Sequence, residues 1–236
     1  MTIDIADKWA LVTGASRGIG QQIALGLADH GVHLVLHSSN ADNQSATKDL
    51  LKTRAVQVRS VEGLLDDPAA ISAFTQEAEI LSGGIDILYN NAAMMTAETP
   101  LFSTPQSDYE RSFQVNLYSV IQMCAHIAPL MASRGFGRIV NVSSGIADTP
   151  QLDAYSITKA ALDKYTRDLA IELEGTGVLA NMLDPGWCRT DMGGPYGEHD
   201  VTSVLPGALI PAMLAEQGAE TPKGMLFCAQ DYAETR

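Results

Sequence analysis

A tyrosine and a lysine four residues apart are the clearest candidates for chemistry in this sequence. Tyr155 and Lys159 lie at the opening of a segment with helical periodicity, so both side chains share one helix face. An ammonium beside a phenol favours the phenolate and lowers the pKa of the phenol, which predicts that Tyr155 is a proton donor near neutral pH. Because such pairs are also common on ordinary helix surfaces, this interpretation needs support from other motifs.

A glycine-rich turn near the N-terminus predicts anion binding. Residues 13–20 read TGASRGIG and directly follow an apolar run. In such a turn the first glycine permits a tight bend, the second admits a pyrophosphate to the backbone, and the third lets the next helix pack on the strand. An ordinary strand-to-helix turn could also use glycine, but the position of this one favours a dinucleotide. The residues predicted to contact the dinucleotide are Gly14, Ser16, Arg17, Gly18, Ile19 and Gly20.

The end of the second apolar run indicates which nicotinamide dinucleotide is preferred. An acidic side chain there would bind the adenosine ribose and repel a 2′-phosphate, but residues 37–40 read HSSN. Ser38 and Ser39 offer hydroxyl donors instead, and Arg17 offers a cation for the phosphate. We therefore expect NADP(H) to be preferred over NAD(H).

Short aliphatic runs alternate with helical stretches along the whole chain. Stretches such as 21–29, 69–81 and 154–173 have helical periodicity. Right-handed crossovers between the runs predict an α/β fold, a single Rossmann-like doubly wound parallel sheet of about seven strands with helices on both faces. The runs predicted as strands are residues 10–12, 32–36, 56–61, 85–89, 138–142, 178–183 and 225–227.

Nothing in the chain suggests a boundary between domains. No internal repeat, low-complexity tract or linker divides it, so residues 1–236 are predicted to form a single dinucleotide-binding domain. The stretch 188–216 is rich in Gly and Pro, and it is the candidate for a lid over the substrate.

Further polar residues stand where strands are predicted to end, which is the edge at which open α/β sheets bind ligands. Ser143 and Ser144 follow the run 138–142, and NNAA follows the run 85–89. In chain order the motifs are TGASRGIG, NNAA, QVNLYS, the serine pair, the Tyr and Lys pair, and DPG leading to Thr190. Over nearly its whole length the chain resembles the short-chain dehydrogenase/reductase family. The resemblance implies a nicotinamide-dependent oxidoreductase.

The resemblance implies a catalytic role for four residues. Tyr155 would be the general acid in reduction and the general base in oxidation, while Lys159 would hold its pKa low and bind the nicotinamide ribose. Ser144 would donate to the substrate oxygen, with Ser143 as the fallback. Asn116 would anchor a water in a proton relay.

The same resemblance extends the predicted cofactor site. Asn90 would stand beside the adenosine ribose, and Thr190 would hold the nicotinamide carboxamide. The remaining contacts implied by the family are Ala92, Pro185 and Gly186, together with Tyr155 and Lys159 themselves.

Composition argues against several other partners and sites. The 15 Lys and Arg against 28 Asp and Glu give a net charge of −13, which repels nucleic acid and anionic membrane surfaces. The apolar segment 204–215 is short and interrupted by proline, and the N-terminus lacks the pattern of a signal peptide, so neither a membrane nor export is expected. Cys124, Cys188 and Cys228 match no zinc or disulfide spacing, so we expect no metal and a cytoplasmic location.

Substrate and assembly are less constrained by the sequence. The residues expected to border the substrate are mainly apolar, although each could equally be ordinary core: Met94, Met95, Ile146, Leu152 and residues 187–192. They favour an uncharged ketone, aldehyde or secondary alcohol. By resemblance we expect a homodimer or homotetramer. The alternative is a catalytically silent, dinucleotide-binding regulatory or signalling protein on the same fold, which would bind NADPH without consuming it.

Overall fold

One parallel sheet forms the centre of the protein. The computed structural model describes residues 2–96, 100–146, 153–216 and 218–232. The strands are β1 (Trp9–Val12), β2 (His33–Ser38), β3 (Val58–Glu62), β4 (Ile87–Asn90), β5 (Gly137–Val142), β6 (Val178–Asp184) and β7 (Leu226–Cys228). Their order is β3-β2-β1-β4-β5-β6-β7, and every pairing is parallel. All seven predicted strands are confirmed.

Helices cover both faces of this sheet. In the described ranges they are α1 (Gly18–Asp29), α2 (Ser45–Leu51), α3 (Pro68–Ser82), α4 (Gln106–Phe113), α5 (Ser119–Arg134), α6 (Asp153–Glu172) and α7 (Ile210–Met213). A π-helical turn, Gln114–Tyr118, joins α4 to α5. Successive strand residues point to opposite faces. Val12 therefore packs in the apolar cluster that contains Ile23 of α1, and Leu11 packs in the cluster that contains Ile71 of α3. The predicted doubly wound fold is confirmed.

The start of α1 differs from the prediction. The helical periodicity begins at Gln21, but the helix itself begins at Gly18, inside the glycine turn. Glycines carry no apolar pattern, so periodicity does not reveal a first turn that is built from them. The consequence is that the N-terminus of α1 is part of the glycine motif.

The stretch 188–216, predicted as a lid, has two parts that differ in burial. Val204, Ala208 and Leu209 are buried in the cluster beside α1, and Tyr89 donates its hydroxyl to the Ala208 carbonyl at 2.8 Å. This later part belongs to the core. Residues 189–196 and 198–203 are exposed or half-buried, and they retain the surface position that a lid needs. Closure of these residues stays a prediction.

The helical stretch Gln106–Arg134 is long and apolar enough to cross a membrane by length and composition alone. Half of its most apolar window is buried inside the protein. Met123 and Ile127 of this stretch pack in the same cluster as Ile71 of α3. Packing in the core accounts for its hydropathy.

A buried threonine joins the end of β1 to the turn after β4. Thr13 Oγ1 accepts from the backbone N–H of Asn91 at 2.9 Å and of Ala92 at 3.0 Å. The Asn91 side-chain amide donates to the Thr13 carbonyl at 2.8 Å. Strand order reverses between β1 and β4, which is where open α/β sheets bind ligands. These bonds therefore fix the two turns that border the binding crevice.

Thr13→Val preserves the shape of the side chain and removes the acceptor of two backbone N–H groups. We expect the free energy of unfolding, measured by urea denaturation, to fall by about 2 kcal/mol, because partly buried donors are left without partners. Thr53→Val, at an exposed position, is the control and should change the free energy by less than about 0.5 kcal/mol. Equal losses in the two variants would contradict this role for Thr13.

Candidate active site

A cavity of about 840 Å³ opens at the carboxyl edge of the sheet. Its volume is in the range of small-molecule and cofactor sites. Most of the predicted site residues lie in its wall: Gly14, Ser16, Arg17, Gly18, Ile19, Gly20, Ser38, Ser39, Ala92, Tyr155, Lys159, Pro185 and Thr190. Four lie outside the wall that the described residues form: Asn90, Asn116, Ser144 and Gly186.

The glycine turn has the geometry that a pyrophosphate site requires. Gly14 (φ 65°) and Gly18 (φ 60°) have left-handed backbone conformations, which favour glycine. A Cβ on Gly20 would lie 2.4 Å from the Gly14 carbonyl oxygen and 2.5 Å from Asn91 Nδ2, so only glycine lets α1 pack this closely. Arg17, the N-cap residue of α1, is described with no side-chain cap hydrogen bond. The first N–H groups of the helix therefore have no capping side chain to compete with an anion.

The two serines at the end of β2 differ in their environment. Ser38 is buried, and its hydroxyl donates to the Asn40 carbonyl at 2.6 Å, so the expectation that it donates to a phosphate is wrong for this arrangement. Ser39 is exposed in the cavity wall and keeps its hydroxyl as a candidate donor. The end of β2 explains this difference, because Ser38 is the last residue of the buried strand and Ser39 follows it.

Arg17 makes an ion pair across the mouth of the cavity. Its Nε lies 2.7 Å from Oδ2 of Asp191, and the two side chains are 69% and 77% exposed. Exposed ion pairs contribute little to stability, so Arg17 can exchange this carboxylate for a phosphate at small cost.

His37 is a cavity residue to which the sequence pattern gave no role. Its Nε2 lies 3.1 Å from the Gly63 carbonyl oxygen, and its ring packs on Phe74 with centroids 4.3 Å apart. Burial lowers the pKa of His37 to about 4. The imidazole is therefore neutral near pH 7 and supplies no positive charge at the end of β2.

Asn90, at the end of β4, does not line the cavity and so does not stand beside the adenosine ribose as predicted. Its amide is buried and donates to Asn141 Oδ1 at 2.8 Å, away from the cavity. Asn91 and Ala92 line the cavity instead. Strand alternation predicts this outcome, because Asn90 points to the same face as Leu88, whose cluster contains α5 residues.

Tyr155 and Lys159 lie together in the wall, on the first two turns of α6. The Lys159 Nζ donates to the Val142 carbonyl at the end of β5, at 2.7 Å. The same atom lies 5.5 Å from the centre of the Tyr155 ring. The helix thus places a phenol and an amine in the cavity that contains the glycine turn.

The ionisation of this pair differs from the expectation. Burial and the nearby carboxylate of Asp184 raise the pKa of Tyr155 to about 12, so the expected lowering is wrong for the chain on its own. Burial lowers the pKa of Lys159 to about 8, and the carboxylate of Asp163 opposes that effect. The cause is that desolvation penalises both charged forms. Tyr155 is consequently protonated throughout the neutral range.

The two serines after β5 have separate positions. Ser143 is buried in the cavity wall, and its hydroxyl donates to the Asp163 carboxylate. Ser144 is half-buried and lies just outside the wall. The hydroxyl proton of Ser143 is used by Asp163, so Ser144 stays the predicted donor to the substrate oxygen. Leu152, expected to border the substrate, lies outside the described residues.

Asn116 is buried in the π-helical turn between α4 and α5. Its Oδ1 accepts from Met94 N at 2.8 Å, and its Nδ2 donates to Met94 O at 2.9 Å and to Thr158 Oγ1 at 3.1 Å. Asn116 therefore ties the segment after β4 to α6, beside the residues that line the cavity. Its role in holding a water stays a prediction.

The turn after β6 carries the last predicted contacts. Pro185 and Thr190 lie in the wall, whereas Gly186 lies outside it and donates its N–H to Asp184 Oδ1 at 2.9 Å. A Cβ on Gly145 would lie 2.5 Å from Asp184 Oδ2, so the carboxylate also packs against the turn after β5. The sequence motifs predicted no role for Asp184 or Asp163, although Asp184 affects the pKa of Tyr155 and Asp163 accepts from Ser143. The position of Asp163, four residues beyond Lys159 on the same helix face, could have indicated it.

Metal-binding chemistry has no support in the described part of the chain, where no group of three or more His, Cys, Asp or Glu is placed to hold an ion. Cys124, Cys188 and Cys228 are free thiols. Burial raises the pKa of Cys188 to about 11, so this residue is a packed thiol rather than a nucleophile.

Gly20→Ala tests the fit of the glycine turn to a dinucleotide. The added Cβ would displace the Gly14 carbonyl and the Asn91 amide, so we expect the dissociation constant for NADPH to rise at least about ten-fold. Titration calorimetry measures it. Gly26→Ala, on the same helix, meets only the flexible side chains of Leu205 and Leu209, so its affinity should match that of the wild type. Unchanged affinity in Gly20→Ala would contradict the assignment of the turn.

Comparison with known proteins identifies relatives that cover most of the chain. The family model for short chain dehydrogenase matches residues 8–201. A short-chain type dehydrogenase/reductase of Picea abies is 34% identical over 198 residues, covering 80% of this chain and 73% of the relative. The 3-oxoacyl-[acyl-carrier-protein] reductase FabG of Staphylococcus aureus is 29% identical over 230 residues, covering 96% and 92%.

A solved structure also matches almost the whole chain. The blue fluorescent protein from a metagenomic library, crystallised in complex with NADPH, has a TM-score of 0.83 and 28% identity, covering 95% of this chain and 97% of that one. Family model, relatives and structure agree with the ordered motifs and with the strand order. The chain belongs to the short-chain dehydrogenase/reductase family of oxidoreductases.

Proposed function

We propose that this protein catalyses NADP(H)-dependent interconversion of an uncharged ketone or aldehyde and the corresponding alcohol. The observation that carries the proposal is that Tyr155 and Lys159 share one cavity with the glycine turn. An acid–base pair and a dinucleotide site in the same cavity support hydride transfer coupled to proton transfer.

The chain's own groups supply the proton and the orientation. A bound nicotinamide supplies or accepts the hydride. Tyr155 donates the proton to the substrate oxygen in reduction, and Ser144 donates a hydrogen bond to the same oxygen as charge develops on it. Lys159 binds the ribose and stabilises the ionised form of Tyr155. Asn116 holds the segment after β4 in place and anchors the water that returns the proton.

Near pH 7 the chain alone holds Tyr155 in the protonated form that reduction requires. Burial raises the pKa of Tyr155 to about 12, so the phenol keeps its proton until a substrate oxygen accepts it. To act as a base in oxidation the phenol would first have to ionise. The positive charge of an oxidised nicotinamide would favour the phenolate of Tyr155. We therefore expect Tyr155 to ionise more readily in the oxidation direction.

The cavity wall supports an uncharged substrate. It contains Met94, Met95, Val142 and Met192, whose side chains offer dispersion contacts and no charge. The net charge of −13 disfavours substrates carried on an acidic protein. A small ketone or aldehyde with an apolar substituent fits both features.

The end of β2 supports NADP(H) over NAD(H). The wall residues there are His37, Ser38, Ser39 and Asn43, none of which is a carboxylate that would repel a 2′-phosphate. Arg17 supplies the cation, and the similar blue fluorescent protein was crystallised with NADPH.

Our proposal for the oligomeric state and cellular location of this protein is based on its family. We propose a homodimer or homotetramer in the cytoplasm. Tyr118, Ile157 and Ile171 are exposed apolar side chains on the π-helical turn and α6, with 51%, 44% and 72% exposure, and burial of such groups would favour self-association.

Tyr155→Phe tests the general acid. We expect turnover of NADPH with a carbonyl substrate to fall at least about 10²-fold, because the lost hydroxyl acts in the transition state. The dissociation constant for NADPH should stay within about two-fold of wild type for the same reason. Absorbance of NADPH followed against a panel of ketones and aldehydes provides the measurement.

Tyr232→Phe is the matched control, since this tyrosine is exposed, lies outside the cavity wall and should keep full activity. Substantial residual turnover in Tyr155→Phe would refute the assignment. Tight NADPH binding by the wild type without consumption on any compound of the panel would favour the catalytically silent alternative.

Arg17→Gln tests the cofactor preference. We expect KM for NADPH to rise about ten-fold, the effect of losing one charge-assisted hydrogen bond to the phosphate, while KM for NADH stays unchanged. Initial rates at varied cofactor concentration give both constants. Arg59→Gln, an exposed arginine on β3, is the control. A wild type that prefers NADH, or a variant in which both constants rise equally, would contradict the proposal.

A further inference from the structure

A buried carboxylate lies behind the acid–base pair and has no part in the function proposed above. Asp163 on α6 is only 4% exposed. It follows Tyr155 and Lys159 at intervals of four residues, so the three side chains occupy successive turns on one helix face. A carboxylate at this depth needs a partner for its charge, since an isolated buried ion is strongly destabilising.

Asp163 and Lys159 bind two adjacent residues at the end of β5. Lys159 Nζ donates to the Val142 carbonyl at 2.7 Å, and Ser143 donates its hydroxyl to Asp163. Each contact joins one turn of α6 to one residue of the strand end. Two contacts one turn apart set both the depth of the helix and its register against the sheet, and they thereby place Tyr155 one turn further toward the cavity.

The charges around Lys159 identify the electrostatic partner. Lys159 is 2% exposed. On its own helix the carboxylate of Asp163 raises the pKa of Lys159 and so favours the ammonium, while Tyr155 keeps its proton near pH 7. From β6 the carboxylate of Asp184 acts on Tyr155, and β5 contributes the uncharged Val142 carbonyl and the Ser143 hydroxyl. From the π-helical turn Asn116 approaches through Thr158 and carries no charge.

We infer that Asp163 is a positioning residue of the reaction: a buried counter-ion that keeps Lys159 protonated and, through Ser143, holds α6 on the end of β5. This inference rests on the proposed function, in which a charged Lys159 stabilises the ionised phenol. Asp163 touches neither substrate nor cofactor in this role and acts through Lys159 and Tyr155.

Asp163→Asn removes the charge and retains an oxygen that accepts from Ser143. We expect the basic limb of the pH profile of kcat to move down by about one unit or more, because an ammonium that loses a nearby carboxylate loses its proton at lower pH. Asp163→Glu, which restores a carboxylate, should return the limb toward that of the wild type. Asp168→Asn is the matched control, since it removes the carboxylate of an exposed i,i+4 pair with Lys164 on the same helix, and its profile should match that of the wild type.

Ser143→Ala separates the hydrogen bond from the charge. It removes the donor to Asp163 but leaves the carboxylate, so the basic limb should keep its position whatever happens to the maximal rate. The inference would be overturned if the basic limb of the pH profile shifted in Ser143→Ala but kept its wild-type position in Asp163→Asn. If Asp163→Asn does not fold, Asp163→Ser is the second uncharged variant, and an unshifted limb in it overturns the inference equally.

A direct titration of Lys159 keeps this test distinct from that of the proposed function. The 13Cε shift of Lys159 in lysine-labelled protein, assigned through Lys159→Met, reports its ionisation without turnover. A wild type that consumes no NADPH refutes the proposed function, while a lysine titration at lower pH in Asp163→Asn still supports the counter-ion role. Identical lysine titrations in the wild type and in Asp163→Asn refute that role even if turnover is normal.

Discussion

The parallel pairing of β1 with β4 is the constraint on which the site depends. Ala10 pairs with Ile87 and Val12 with Tyr89, and from this pair the strand order runs outward in both directions. Right-handed crossovers from two such strands lead to opposite faces of the sheet, so a crevice is left beyond their carboxyl ends. Thr13 closes the base of that crevice by binding the turn after β4. The glycine turn lies on this crevice directly after β1, and Tyr155 and Lys159 of α6 share the same cavity wall.

Burial, more than net charge, controls the chemistry in this crevice. The chain carries a net charge of −13, yet the groups that matter respond to local desolvation and to single carboxylates. Burial raises the pKa of Tyr155 and lowers that of Lys159, so both lose their charged forms more easily than in water. Asp163 and Asp184 then oppose or reinforce these effects at individual atoms. The same residue types on a helix surface would have ordinary pKa values and no special reactivity.

Pattern and spacing predict the elements of this protein better than the directions of its side chains. Seven apolar runs were enough for the sheet, because strands buried on both faces are almost entirely apolar. The family resemblance assigns Asn90 to the cofactor, and the end of β2 assigns Ser38 to its 2′-phosphate. Alternation along β4 instead turns the Asn90 side chain into the core, and the Ser38 hydroxyl donates to the Asn40 carbonyl. The pKa of Tyr155 could not be predicted from its distance to Lys159 in sequence, because it depends on burial by other elements.

The two halves of the cavity differ in how firmly they are held. The catalytic half rests on buried contacts, with Lys159 bonded to Val142 and Ser143 bonded to Asp163. The cofactor half is bounded by the glycine turn and the segment after β6, which meet through the exposed pair of Arg17 and Asp191. Exposed pairs cost little to break, whereas buried charge networks tolerate little displacement. A dinucleotide can therefore displace the contact at the mouth while Tyr155 keeps its position, which is the division that the proposed reaction with an exchangeable cofactor would require.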